Sequence, residues 1–124
     1  MKTQQGFTLI ELMIVVGIIA LVSVIGYPVY KEQTQKARRS DAKVALVDAA
    51  QTLERCRTNS NTYVGCTFNG TSPEGYYTIT APTLTASTYT LTATATGSQA
   101  GDTSCATFSL THTGSKTATS SNCW

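Results

Sequence analysis

The segment from Phe7 to Gly26 constrains this chain more than any other. It reads FTLIELMIVVGIIALVSVIG, roughly 20 residues of nearly unbroken apolar side chains, long enough to span a bilayer as a helix. Gly17 and Gly26 weaken such a helix in water but are tolerated in a membrane. The chain has 124 residues, and most of its large aliphatics lie before residue 54. A domain made from the rest has a small core and cannot also bury this segment. The segment must therefore enter lipid or a protein assembly. Glu11 stands inside it. A carboxylate at membrane depth is costly and marks function by default. Pro28 follows; it lacks a backbone donor and crowds the preceding turn, which predicts a kink.

Beyond Pro28 the pattern KEQTQKARRSDAKVALVDAAQTLERC places Ala42, Leu46, Ala49, Leu53 and Cys56 at helical spacing, one apolar stripe on an otherwise polar helix. With no stop signal before RTNSN, one helix is expected from about residue 7 to about residue 55, roughly 70 Å long. From residue 58 the texture changes to polar loop and then to alternation with period two. Tyr77, Ile79 and Ala81 share a face; so do Tyr89, Leu91, Ala93 and Ala95; so do Ala106, Phe108 and Leu110. This is an antiparallel sheet with one wet, threonine-rich face. GSQAGD and HTGSK carry turn chemistry between strands, and KTATS reads as a short last strand. The expected fold class is α+β, a long N-terminal helix whose back half packs on a small antiparallel sheet.

Four cysteines, Cys56, Cys66, Cys105 and Cys123, suit two disulfides in a small exported chain. Cys56–Cys66 and Cys105–Cys123 are favoured among the three pairings because each closes a local loop. Each then stabilises the fold by about 3 kcal/mol in the chain-entropy model. A zinc site is the rival, but no CxxC pair exists. Disulfides put the globular part in the periplasm or outside the cell. The net charge of +2 and the charged fraction of 13% do not by themselves argue for nucleic acid.

A cleaved secretory signal fits the N-terminus poorly. Gly6 ends the polar leader before the apolar run, Glu11 interrupts that run, and no A-x-A-like site precedes Pro28. GFTLIELMIVVGIIALVSVIGYP instead resembles the N-terminal region of type IV pilins and pseudopilins. Helix, sheet, Cys-bounded C-terminal loop and the GYYTIT…YTLTATATG…DTSC texture with a final CW resemble a PilE-type minor pilin. The resemblance implies cleavage by prepilin peptidase between Gly6 and Phe7, and methylation of the Phe7 amine. It implies an inner-membrane stage followed by extraction into a surface filament by the assembly machinery. Glu11 would pair there with the Phe7 amine of a neighbouring subunit and set register. The domains implied are a leader at 1–6, a membrane or filament-core segment at 7–28, and a globular pilin domain at 29–124. Many pilins carry glycine where this chain has Ala20, so the stretch that loosens on assembly is expected anywhere from Gly17 to Pro28.

Lys36, Arg38 and Arg39, with Lys31 and Lys43 nearby, form a basic cluster beyond the apolar segment. It reads as a contact patch for anionic lipid or DNA, or as a solvated face partly paired with Glu32 and Asp41. The cluster opposes the expected topology, because the leader offers only Lys2 and the start amine against it. His112, the sole histidine, has no metal-spaced cysteine partner, and no nucleophile–base–orienter set is visible. The chain is therefore expected to be a structural protein, not an enzyme, with no metal or cofactor. Its partners would be other pilin subunits, in adhesion, twitching motility or DNA uptake. A type II secretion pseudopilin is the rival within the superfamily, and the two disulfides favour the pilus. A tip module binding DNA or a surface is the rival of another class.

Overall fold

A computed structural model describes residues 5–124. Residues 1–4 of the expected leader, Lys2 among them, lie outside the described residues. Contacts divide the chain into two compact units, Met1–Thr34 and Gln35–Trp124. One helix, α1 (Leu9–Ser60, 52 residues), contributes to both.

In the first unit α1 carries the apolar run. Every described side chain from Phe7 to Tyr30 is exposed, with Phe7 at 89%. By length and composition the helix can cross a membrane. Pro28 lies inside α1; having no N–H, it cannot bond the carbonyl one turn back.

The second unit packs the remaining part of α1 against a sheet. Strands β1 (Tyr77–Leu84), β2 (Tyr89–Ala95), β3 (Thr107–Thr111) and β4 (Lys116–Ala118) form an antiparallel meander in that order. The helix stripe is Ala42, Ala45, Leu46, Ala49 and Leu53, all buried. Its small residues let the sheet approach closely. From the sheet come Tyr77, Ile79, Tyr89, Leu91, Ala93, Phe108 and Leu110. Edge-on ring pairs tie them together, Tyr77 to Phe108 at 5.8 Å and Tyr63 to Tyr89 at 4.9 Å, a favoured aromatic geometry. The opposite face is a hydroxyl array. Thr80, Thr92, Ser109 and Thr117 are successive cross-strand partners over all four strands.

The structure departs from the sequence pattern in four places. Helix α1 continues to Ser60 instead of ending near residue 55. Thr58 and Ser60 return their hydroxyls to the carbonyls of Glu54 and Cys56. The helix then stops at Asn61, whose φ of 57° is the left-handed conformation that ends helices. In β1 a register shift between Thr80 and Thr83, around Pro82, breaks the alternation, so Ala81 is only half-buried. At the start of β3, Ala106 falls outside the strand. The connection from β2 to β3, expected as plain turn, contains two short 3₁₀ turns, Gly97–Gln99 and Thr103–Cys105. It buries Gln99 and Asp102 completely or nearly so.

The structure joins Cys56 to Cys66 and Cys105 to Cys123, with Cα separations of 6.0 and 5.7 Å. The second bridge ties the C-terminal segment beside β3. There Trp124 stacks edge-on with Phe108 and donates its indole N–H to the Thr117 carbonyl at 2.7 Å.

Candidate functional site

Two places carry candidate residues, one in each unit. In the first, Gln5, Gly6, Phe7 and Glu11 line one shallow hollow at the start of α1. Thr8 is the last residue before the helix. It accepts the Glu11 amide on its side-chain oxygen at 3.3 Å and the Leu12 amide on its carbonyl at 3.2 Å. Gly6 and Phe7 therefore precede the helix, Glu11 lies in its first turn, and the three line one hollow. They share an exposed helix end where the backbone leaves amide donors open and the dipole favours a negative charge.

In the second unit the three residues of the basic cluster have three different situations. Lys36 is exposed. Arg38 stacks its guanidinium over the Tyr76 ring at 4.4 Å and donates to the Ser98 hydroxyl at 3.2 Å. Arg39 is turned inward. It makes a two-pronged bond with Asp102, Nε to Oδ2 at 2.7 Å and Nη2 to Oδ1 at 2.8 Å, with side chains 15% and 2% exposed. This fork geometry is the strong form of an arginine–carboxylate pair. The Arg39 hydrogen bonds hold the Asp102 carboxyl below its ordinary range, against burial that pushes it up. Arg39 is thus a structural residue, and the part of the basic cluster left at the surface is Lys36 and Arg38.

Asp41 was expected as a partner of that cluster. Asp41 is buried and faces the loop before β1. It accepts the Ser72 hydroxyl, the Glu74 amide at 3.1 Å and the Tyr76 amide at 3.4 Å. Ser72 in turn accepts the Tyr77 amide at 3.0 Å. One carboxylate on α1 therefore pins the loop that positions Tyr76 under Arg38. Gln99 completes a second lock. Its side-chain NH₂ shares two hydrogens among three acceptors, the Gln35 carbonyl, the Tyr77 hydroxyl and Asp102. Burial raises the Tyr77 phenol, partly countered by the bond to Gln99.

Asp41, Gln99 and Asp102 were not singled out as polar locks by the sequence. Asp102 lies 63 residues from Arg39, so no local spacing links them. The signal present was an acidic residue on the helix stripe itself, one position before Ala42, where a solvated side chain is out of place.

The four-stranded meander, the helix beneath it and the Cys105–Cys123 closure are the arrangement of the type IV pilin class. A type IV pilin of solved structure from Shewanella oneidensis matches with a TM-score of 0.58 and 34% identity, covering 73% of this chain and 97% of that one. Prepilin peptidase-dependent protein D of Escherichia coli is 46% identical over 56 residues, 45% of this chain and 38% of that protein. Type IV pilus subunit protein TapA of Aeromonas hydrophila is 40% identical over 72 residues, 58% and 50% respectively. This chain spans half or less of the length of these curated relatives. A model of the prokaryotic N-terminal methylation motif matches residues 1–27, and a model described as "Type IV minor pilin ComP, DNA uptake sequence receptor" matches residues 28–109. The chain belongs to the type IV pilins, within that minor-pilin family.

Proposed function

We propose that this protein is a structural subunit of a type IV pilus, a minor pilin that polymerises without covalent chemistry through its N-terminal helix. The observation that carries this is the start of α1, where an exposed apolar helix presents Glu11 beside Phe7 and Gly6. Prepilin peptidase would cut between Gly6 and Phe7 and methylate the new amine. Residues 7–28 would hold the subunit in the inner membrane and later form filament core, with residues 29–124 in the periplasm or outside. In the filament Glu11 would neutralise the Phe7 amine of a neighbour. Either charge left alone in an apolar core is strongly unfavourable, so the pair fixes register. Pro28 and the residues back to Gly17 are the stretch proposed to loosen on assembly.

The test is incorporation of Glu11→Ala into sheared surface filaments. Loss of incorporation with the globular domain intact is expected; wild-type incorporation would sink the role.

A second reading is favoured by the description of the family model on residues 28–109, and by Arg38 stacked on Tyr76. On this reading the subunit also contacts DNA through Lys36 and Arg38. Binding that weakens steeply with salt, and weakens further in Arg38→Ala, supports it. Binding unchanged by Arg38→Ala removes it.

A further inference from the structure

Beyond Gly26 the exposed run of α1 changes its chemistry over residues 27–31. Tyr27 and Tyr30 are 71% and 70% exposed, Pro28 lies between them, and Lys31 is the first charged side chain after Glu11. Tyr27, Tyr30 and Lys31 are spaced i, i+3 and i+4, so they share one face of the helix. A phenol has an apolar ring and a polar tip, and tyrosines concentrate where hydrocarbon meets lipid headgroups. A lysine beside them keeps its stem in the apolar layer and its ammonium among the lipid phosphates. The stretch below suits hydrocarbon. From Leu9 to Gly26 the helix is about 27 Å long, close to the roughly 30 Å core of a bilayer. Ser23 within it donates its hydroxyl to the Ile19 carbonyl at 2.7 Å, the internal partner that a lipid surrounding demands. We infer that Tyr27, Tyr30 and Lys31 form a girdle for lipid headgroups. The two rings seat the outer end of the apolar run at the membrane surface and set its depth, and Lys31 is the backstop.

This rests on the proposal that residues 7–28 hold the subunit in the membrane, and it fixes where in the bilayer they sit. Anchors of this kind, not the length of an apolar run, decide how a helix is placed in lipid. With Tyr27 at the outer boundary, Pro28 falls in the headgroup layer. The Val24 carbonyl, which loses the Pro28 amide, then lies less than one turn below that boundary, within reach of interfacial water. Glu11 stands 16 residues before Tyr27, about 24 Å along the helix. In a core of roughly 30 Å it sits about one helical turn from the opposite boundary. Local thinning and water entry relieve a charge at that depth more readily than one at the midplane. The girdle at one end therefore decides what it costs to keep Glu11 charged near the other while no neighbouring subunit is present.

The test is paramagnetic relaxation of backbone amides in the full chain, held in bicelles of zwitterionic lipid with an anionic fraction. The probe is a water-soluble gadolinium chelate. In the wild type, amides from Met13 to Val24 are expected to be shielded, with the outer edge of the shielded band between Tyr27 and Val29. Tyr27→Ala with Tyr30→Ala removes both rings and keeps a strong helix former at each position. The edge is then expected to advance by about one helical turn, to Lys31, and the Glu11 amide to become several-fold more accessible as the far end is pushed out. Adding Lys31→Leu to that pair is expected to carry the edge beyond residue 31. Tyr27→Trp with Tyr30→Trp keeps amphipathic rings and is expected to hold the wild-type edge. The inference is overturned by an edge that stays or retreats in the double-alanine variant, by one that Lys31→Leu does not release, or by a double-tryptophan variant that loses the wild-type edge. A wild-type chain with no shielded band removes the membrane reading itself; a shielded band whose edge ignores the tyrosines removes the girdle alone.

Discussion

At the scale of residues, the two arginines of the KARR stretch divide the work between stability and surface. Arg39 and Asp102 are a buried, fork-bonded pair, so removing one partner strands the other charge. Arg39→Ala should cost about 3 kcal/mol or more, read as a lower urea midpoint. Arg38→Ala, which loses a half-buried stack at the surface, should change stability by no more than about 1 kcal/mol. The Asp102 carboxyl is held below its ordinary value of 3.8. Its stabilising effect is therefore fully present above that value and is lost as pH falls through the lower, folded-state value. Urea midpoints should decline as pH drops below about 4, and Asp102→Asn should flatten that decline. Tyr89 has the opposite sign. Burial, with Glu54 nearby, pushes its phenol up to about 12. Stability from keeping it neutral is present below its ordinary value of 10.0 and is lost as pH rises towards 12. Tyr89→Phe should be less sensitive to alkali over that interval, measured by near-ultraviolet circular dichroism.

At the scale of elements, α1 and the sheet were legible because their side chains repeat. The stripe Ala42, Leu46, Ala49, Leu53 has helical period, and the strands from Tyr77 and Tyr89 have period two. Each face is buried through most of its length and half-buried at Cys56, Ala81 and Ala95. Legibility failed where one residue ends or breaks a repeat. Asn61 stops α1 by adopting a left-handed conformation, and the shift near Pro82 interrupts β1. Neither has a periodic signature. The loop at residues 72–76 is ordered by Asp41 from outside itself. Asp41→Ala would leave the Glu74 and Tyr76 amides and the Ser72 hydroxyl short of an acceptor, so a loss of about 2–3 kcal/mol is expected. Hydrogen exchange at those two amides should rise with it. The Cys105–Cys123 bridge closes a span of 18 residues. Its removal by paired serine substitution should cost about 3 kcal/mol in the chain-entropy model, seen as a lower Tm of the oxidised Cys56–Cys66 protein.

At the scale of the whole molecule, the sequence determined the division of labour. An apolar run of bilayer length, a lone carboxylate within it, a glycine before it and a small threonine-rich remainder can be read without coordinates, because each depends on neighbours a few residues away. They were enough to expect a membrane-length segment, proposed above to serve as anchor and in assembly, and a sheet domain that needs a helix to cover it. Only the tertiary structure decided what the polar residues do. Arg39 with Asp102, Asp41 with Ser72, and Gln99 with Gln35 join positions 63, 31 and 64 residues apart. Such pairs depend on which loop folds back over which turn of α1, and a buried ion pair has no spacing rule. The basic cluster shows the consequence. As sequence it was one patch of charge; in the fold, burial takes Arg39 into the interior and leaves Arg38 and Lys36 at the surface.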